Sequence, residues 1–496
     1  EFSGNGAFPA EALLARTGLQ GGTPFNDAAV RGAERKLALF YDLEGHSGTV
    51  VRSSLRIDRE TAVVDVQYQV EEGPKLVVEA VDVVSRGITD PEVIRRELAL
   101  CAGQPLSSHK IGQSQYDLYR TGLFRSVGYE IEPGDAPGSR RVVFTMEESP
   151  NVNLDYGLGY SSDYGIRVSG NVGHTNVFGR RLYVGLGGRY GGEDSRAQLV
   201  VRQPGVLGSE VEGLGRAFWE EENRVNFDVT RLGLNLQATR RYREGRYTLN
   251  WGYGLEDLTL AERGPVKSLA DPLGEPADPL FNPREETDVR LGSARFDAAR
   301  DTRDAFLWPT SGSFTRAQVS LYDSTLLSEA DYIRGFVQWN RYQKVFRSTI
   351  WNSAVRLGLA QPYGDSDYLP ISERYFTGGE SSLRGFRYDS LQAVGAPYLP
   401  GVTRSGLSAG GNALFLFNQE LAVPVADPVH LLVFYDAGNL YWRASDFDIT
   451  DLRHSAGLGV RVRTPVGPLR LEYGWKLDRE EGESSGRLHF SFGMPF

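Results

Sequence analysis

Few residues in this sequence have the types and spacing that enzyme chemistry requires. Only six histidines occur, and no Ser/His/Asp arrangement, histidine-rich metal spacing or phosphate-binding glycine loop stands out. The glycine-rich run at residues 185–188 has no helical pattern after it, so we interpret it as strand glycines rather than a nucleotide-binding loop. We therefore predict that the protein is not an enzyme and has no catalytic residue, no metal site and no cofactor.

Two acidic residues, Glu420 and Asp436, are better placed for a role inside the fold. Glu420 shares one side of a period-two pattern with Asn412 and Asn418. In the segments around Glu420 and Asp436, the side opposite the acid is apolar or aromatic. It carries Phe415, Phe417, Leu421, Val423, Leu431, Val433 and Tyr435. Because successive side chains of a strand point to opposite faces, both carboxylates should lie on the polar face of their strands.

These acids belong to a region, beginning near residue 150, in which nearly all apolar spacing has period two. One face of residues 152–160 is apolar and the other is polar or glycine, which suits lipid on one side and water on the other. No stretch reaches the roughly eighteen consecutive apolar residues of a spanning helix. We predict an all-β, antiparallel transmembrane barrel over residues 150–496, with about sixteen strands. Glu420 and Asp436 should point into it, and His454 and His489 are interpreted as lumen or interface residues.

The region before residue 150 mixes helix-like and strand-like spacing and repeats itself after roughly eighty residues. The turn sequences GTPF at residues 22–25 and GQPL at 103–106 correspond, and each copy ends in Glu-Glu, one further residue and proline. Each copy has the pattern of a strand, two helices and two strands, although no opening strand is evident in the first. We predict two α+β modules, at residues 1–73 and 74–149. The repeat alone fits a generic α+β pair equally well.

The charge balance and the single cysteine exclude several kinds of partner. The chain has 54 Lys and Arg against 64 Asp and Glu, a net charge of -10, and no basic block, so we expect no nucleic-acid partner. Cys101 is the only cysteine, which rules out an intramolecular disulfide and a cysteine-rich zinc site. We expect it to be a small buried residue.

Four separated segments form an ordered set of motifs. They are FTGGESSLRGF at residues 376–386, NQEL at 418–421, FYDAG at 434–438 and TPVGPLR at 464–470. In this order they resemble the BamA/TamA superfamily of outer-membrane protein assembly and translocation proteins, in which POTRA modules precede a surface-antigen-type barrel. Leu383 replaces the valine that usually precedes Arg-Gly-Phe in that family. The alternating last strand, which ends on Phe496, looks like the terminal signal by which outer-membrane barrels are recognised.

The resemblance implies that loop six, about residues 374–410, folds back inside the barrel. Arg384 would then meet the two lumen acids through charge-assisted hydrogen bonds, for which its planar fork is suited. Gly385 would permit the tight backbone, and Phe386 would pack against the wall. The role implied for this arginine is structural. The alternative is a solvated loop tip with ordinary lumen acids.

The family's activity implies an outer-membrane insertase that folds and inserts β-barrel proteins or autotransporters. Its modules would lie in the periplasm and capture unfolded outer-membrane or secreted clients, with a lipid bilayer around the barrel and with periplasmic or lipoprotein accessory subunits. A weak seam between the first and last strands would admit the client, since glycines weaken the first strand and Pro495 removes a donor from the last. The seam residues are Leu154, Tyr156, Gly157, Gly159, Phe490, Phe492 and Phe496. No secretory signal opens the chain, and we expect it to have been removed.

A second class stays open, a two-partner-secretion-type transporter that exports one specific protein through its barrel. Such transporters resemble this chain in their two POTRA modules, sixteen strands and loop motif, but usually carry an N-terminal plug helix. None precedes the first module here, although trimming could have removed one. A barrel protease or lipase is disfavoured because no catalytic arrangement is evident. The clients, the accessory subunits and a BamA-like or TamA-like role stay undecided.

Overall fold

The computed structural model describes residues 1–206, 210–224, 227–243, 245–262, 288–367, 369–396, 408–465 and 467–493. The predicted seam residues Pro495 and Phe496, and residues 397–407 of loop six, lie outside these ranges. The chain forms two compact units, of which the first comprises Glu1–Val152 with His174–Leu182 and the second Asn153–Gly173 with Tyr183–Phe496.

The first module of the N-terminal unit packs two helices on a three-stranded sheet. Its elements are β1 (Phe2–Ser3), α1 (Ala10–Thr17), α2 (Asp27–Leu43), β2 (Val50–Asp58) and β3 (Val63–Glu71), with the sheet order β1-β3-β2. Val30, Leu37 and Tyr41 recur at helical spacing on α2 and are buried in one core with Tyr68 of β3. The Asn26 side chain caps α2 by accepting a backbone hydrogen bond of 3.2 Å.

This module does have an opening strand, contrary to our expectation. Phe2 and Ser3 pair in parallel with Tyr68 and Gln69 of β3, and the rings of Phe2 and Tyr68 stack with centroids 5.5 Å apart. A strand of two residues is too short to show a period of two, so the pattern that identifies strands could not reveal it.

The second module repeats the arrangement with a long opening strand. Its elements are β4 (Val77–Arg86), α3 (Pro91–Arg96), α4 (Ser108–Arg120), β5 (Phe124–Pro133) and β6 (Ser139–Glu148), with the sheet order β4-β6-β5. The side chains of Asp90 and Ser107 cap α3 and α4. Cys101 is exposed, not buried as we expected, because it lies in the connection between these helices rather than on the packed face of either.

One carboxylate joins the two modules. Asp42, near the end of α2, accepts hydrogen bonds from Ser107 Oγ at 2.5 Å and from the backbone N–H groups of Ser108 and His109 at 3.0 Å. Burial raises the pKa of Asp42, but these hydrogen bonds, that of His109 foremost, outweigh burial and hold the pKa below its ordinary value. The first turn of α4 is therefore capped by a side chain of the preceding module.

In the part of the chain that the structure describes, sixteen strands close into an antiparallel barrel, which confirms the predicted fold. Each strand is a neighbour in the sheet of the strands next to it in the chain, and the last strand closes on the first. The strands are β7 (Val152–Ser161), β8 (Gly165–Val177), β9 (Leu182–Gly191), β10 (Asp194–Gln203), β11 (Val211–Asn223), β12 (Phe227–Tyr242), β13 (Tyr247–Glu262), β14 (Asp288–Asp301), β15 (Gly312–Tyr322), β16 (Tyr332–Lys344), β17 (Ile350–Pro362), β18 (Ala413–Ala426), β19 (Val429–Tyr441), β20 (Arg453–Val462), β21 (Leu469–Lys476) and β22 (Gly486–Phe492).

Side chains alternate between the outside and the inside of this barrel. On β7, Leu154 and Tyr156 point outward and are 71% and 89% exposed, which suits contact with lipid. Within the described ranges, the helices are all too short or too polar to cross a membrane.

Part of the interior is apolar, which the alternation did not predict. Strand residues and loop six together form an apolar cluster that includes Leu258, Leu291, Tyr322, Tyr332, Leu383, Phe386, Leu414 and Leu416. Because loop six covers the inner face of the wall, a strand can be apolar on both sides. Residues 413–417, with the sequence ALFLF, are such a segment.

Candidate functional site

The described part of loop six packs against the inner wall of the barrel. The hydroxyl of Tyr375 donates a hydrogen bond of 2.7 Å to a backbone carbonyl of β16. Leu383 and Phe386 are both fully buried. The ring of Phe386 lies 5.0 Å from the guanidinium carbon of Arg453 and 4.7 Å from Nζ of Lys476. Loop six is thus held on both sides of Arg384.

Arg384 binds Asp436 through two parallel hydrogen bonds. Its Nε donates to Oδ2 and its Nη2 to Oδ1, both at 2.8 Å, and its backbone N–H also donates to Oδ2 at 3.2 Å. The centre of the Phe434 ring lies 3.5 Å from the guanidinium carbon. This is the two-point geometry in which arginine, unlike lysine, fits a carboxylate.

Two glutamates and a second arginine extend this pair. Nη1 of Arg384 donates to Glu420 and to Glu472, each at 3.0 Å. Arg461 of β20 donates to Glu420 at 3.0 and 3.1 Å and to Glu472 at 2.9 Å. We call Arg384, Glu420, Asp436, Arg461 and Glu472 the charge cluster. It combines two guanidinium groups with three carboxylates.

Sequence reasoning missed Arg461 and Glu472, although a signal for both was present. Each is flanked on both sides by apolar or aromatic residues within a strand, so alternation places both inside the barrel. Asn418, which alternation placed on the face of Glu420, also takes part. Its Nδ2 donates to Asp436 Oδ1 at 2.9 Å and to the carbonyl of Ser382 at 2.7 Å.

Two facing glycines set how closely loop six approaches the wall. Gly385 has a φ of +94°, which favours glycine, and its N–H donates to Nε2 of His489 at 3.1 Å. A Cβ placed on Gly474 of β21 would lie 2.6 Å from the Gly385 nitrogen. The close contact brings Arg384 within hydrogen-bond distance of the acids.

The arrangement is suited to fixing the loop rather than to catalysis. Four side-chain hydrogen bonds of Arg384 go to carboxylates, and Asp436, Glu472 and Glu420 are 0%, 4% and 8% exposed. A buried charge is tolerated only when it is paired, so each member of the charge cluster depends on the others. Among the described residues, no group of three or more potential metal ligands is arranged to hold an ion.

The second feature of interest is the junction of β7 and β22, which we call the seam. Only two register pairs join these strands in the described residues, Ser161 with Ser491 and Tyr160 with Phe492. By contrast, seven pairs join β21 to β22 and sixteen join β12 to β13. Among the described residues, β22 therefore has fewer register pairs with β7 than with β21.

The structure places the predicted seam residues unevenly. Phe492 is in a register pair, and the carbonyl of Phe490 accepts a hydrogen bond of 2.8 Å from the Ser162 N–H. The other predicted seam residues of β7, which are Leu154, Tyr156, Gly157 and Gly159, have no register partner on the described part of β22. Phe496 lies outside the described residues.

Both parts of the chain are similar to known proteins. Residues 1–73 match the POTRA surface antigen variable number repeat. The chain is 26% identical over 471 residues to the outer membrane protein assembly factor BamA of Nitratidesulfovibrio vulgaris, which covers 93% of this chain and 57% of that protein. It is 25% identical over 450 residues to a SAM50-like protein of Schizosaccharomyces pombe, covering 82% of this chain and 88% of that protein.

The fold agrees with a solved structure. The crystal structure of BamA from Haemophilus ducreyi lacking POTRA domains 1-3 matches with a TM-score of 0.77 at 19% identity, over 97% of this chain and 96% of that one. The chain spans less than two thirds of the length of the BamA relatives it matches. Residues 176–496, most of the chain, match the Omp85 superfamily domain. This protein therefore belongs to the Omp85 superfamily.

Proposed function

We propose that this protein is an outer-membrane insertase that folds β-barrel proteins or autotransporters into the membrane. Its N-terminal modules would lie in the periplasm and bind unfolded clients, and its barrel would pass them into the bilayer through the seam. The observation that carries this proposal is the seam of two register pairs in the described residues. Accessory periplasmic or lipoprotein subunits belong to the same proposal.

A short ladder is the place where a barrel can exchange hydrogen-bond partners. The hydrocarbon interior of a bilayer offers no water to replace lost backbone hydrogen bonds, so an open seam is unfavourable on its own. A client strand that pairs with β7 or β22 as they separate supplies the missing partners. Opening is then coupled to the addition of a strand, which is the first step of insertion.

The modules offer edge strands for client capture. β2 ends the sheet of the first module, and β5 ends that of the second. On β2, Leu55 and Ile57 are 40% and 64% exposed. An extended apolar client segment can add to such an edge through backbone hydrogen bonds, which makes capture independent of most of the client's sequence.

The barrel interior favours the insertase over an export pore. In the described residues, loop six and the apolar cluster lie in the lumen, and Arg384 binds the loop to strands β18, β19 and β21. A pore would have to displace both before a polypeptide could pass. Depletion of the protein separates the two functions, because general loss of outer-membrane barrels supports the insertase and selective loss of one exported protein supports the pore.

A disulfide across the seam tests the proposal. The exposed Cys101 is first replaced by serine, and Ser161→Cys is then combined with Ser491→Cys, since these residues face each other in the register. We expect the oxidised variant to lose client insertion into vesicles and to regain it on reduction. Thr230→Cys with Thr259→Cys, a register pair of β12 and β13, is the matched control and should insert clients in both states. Undiminished insertion by the oxidised seam variant would overturn the proposal.

A further inference from the structure

Loop six contacts the first strand of the barrel as well as the wall that carries the charge cluster. Ser161 Oγ, at the end of β7, donates to the Glu380 carboxylate at 2.9 Å. The N–H of Glu380 donates at 2.6 Å to Oδ2 of Asp163, in the connection between β7 and β8. A Cβ placed on Gly379 would lie 2.5 Å from that same oxygen. This side of the seam is therefore fitted closely to the loop.

The other side of the seam is bound by the same loop, a few residues further on. The N–H of Gly385 donates to His489 of β22, and Arg384 donates to Glu472 of β21. Because Nε2 of His489 accepts this hydrogen bond, the proton of the neutral ring is on Nδ1. Nδ1 faces Asp163 across the seam, with 3.6 Å between Nδ1 and Oδ1.

Loop six adds contacts to the direct pairing of the seam. Four hydrogen bonds connect the loop to residues on the two sides of the seam. They add to the two register pairs and the hydrogen bond from Ser162 to Phe490 that join the strands directly in the described residues. Asp163 and His489 are 4% and 2% exposed, so water does not compete for these contacts. Neither residue was singled out as a site from the sequence, where His489 was interpreted as a lumen or interface residue.

We propose that His489 and Asp163 are positioning residues that hold the seam closed through loop six. His489 binds the loop from the last strand, and Asp163 binds it from the connection that follows the first strand. Loss of either side chain removes one of the loop's contacts with that edge of the seam and leaves a backbone N–H of the loop without its acceptor. The consequence for client insertion rests on the proposed function. The effect on the seam itself is independent of that proposal.

Hydrogen exchange of the full chain in detergent micelles tests the proposal. In His489→Leu, we expect amides in residues 155–165 and 486–493 to exchange about tenfold faster, the factor that corresponds to about 1.4 kcal/mol. Asp163→Ala should have the same effect from the other edge. His489→Gln keeps an acceptor for the loop and should exchange as the unaltered protein does. His454→Leu is the matched control, because that ring contacts Tyr435 instead of loop six.

The β12–β13 hairpin separates a local effect from a general one. Its sixteen register pairs should exchange at unchanged rates in every variant. The inference is overturned if the seam segments of both folded variants exchange normally, or if β12 and β13 accelerate equally. If the seam accelerates while client insertion by the same variants is unaffected, the role of His489 and Asp163 stands and the insertase proposal fails.

Discussion

Replacement of Arg384 by leucine would leave the buried acids of the charge cluster without their shared cation. Arg461 would still pair with Glu420 and Glu472. The loss therefore falls mainly on Asp436, which is 0% exposed. Removing one partner of a buried ion pair costs about 3–5 kcal/mol. We expect the free energy of unfolding of Arg384→Leu to fall by that amount.

Two further variants isolate the electrostatic part of this loss. Asp436→Asn in the Arg384→Leu background removes the unpaired charge, so the double variant should be more stable than the single one by about 1–3 kcal/mol. Arg384→Lys keeps a positive charge but cannot form two parallel hydrogen bonds with a carboxylate. Its stability should lie between those of the unaltered protein and Arg384→Leu.

Urea unfolding of the barrel in detergent micelles, followed by tryptophan fluorescence, measures these differences. Arg290→Leu is the matched control, because its pair with Asp257, at 2.7 Å, has side chains 54% and 56% exposed. An exposed pair of this kind contributes less than about 1 kcal/mol. If Arg384→Leu and Arg290→Leu unfold at the same urea concentration, the reasoning from buried pairing is refuted.

Three other variants test separate contacts. Gly474→Ala would place a methyl group 2.6 Å from the Gly385 nitrogen and should therefore make loop six more accessible to limited proteolysis. Unchanged cleavage would contradict the close fit between loop six and the wall. Phe434→Leu removes the ring beneath Arg384 and should lower the free energy of unfolding, measured by urea titration, by about 0.5–2 kcal/mol. An unchanged midpoint of urea unfolding would argue against a cation–π contribution. The pKa of folded Asp42 lies below its ordinary value. The stability that ionised Asp42 contributes is therefore fully present when the pH is above the ordinary pKa, and it is lost as the pH falls through the folded pKa. Exchange of the first amides of α4 should therefore show an added acid-dependent acceleration, which Asp42→Asn should abolish, and identical profiles in both proteins would exclude this role for the carboxylate.

Alternation in the sequence was sufficient to predict that Glu420 and Asp436 face the inside of the barrel, although it did not predict the apolar cluster there. Glu420 and Asp436 face inward because a strand reverses its side chains at every residue, and the same rule applied to Arg461 and Glu472 would have found the other partners. Their convergence on Arg384 could not be worked out this way. It depends on where a loop of the chain lies, and only the resemblance to a known family suggested it.

The seam could be predicted only in part, for a physical reason. Glycine and proline indicate weak strands, but the number of register pairs depends on how far two strands from opposite ends of the chain overlap. No local pattern encodes that overlap. His489 shows the same limit, because its neighbours Gly385 and Asp163 are distant from it in sequence and approach it only in the folded barrel.

The apolar packing inside the barrel bears on the permeability of the surrounding membrane. A hollow cylinder whose wall parts would connect its water-filled bore to both aqueous compartments, and ions would leak while a client enters. Side chains such as Tyr322, Tyr332 and Phe386 fill part of that bore and are almost completely buried. Narrow apolar passages exclude water and ions. Under the proposed function, conduction along the axis would therefore stay low while the wall admits a strand laterally.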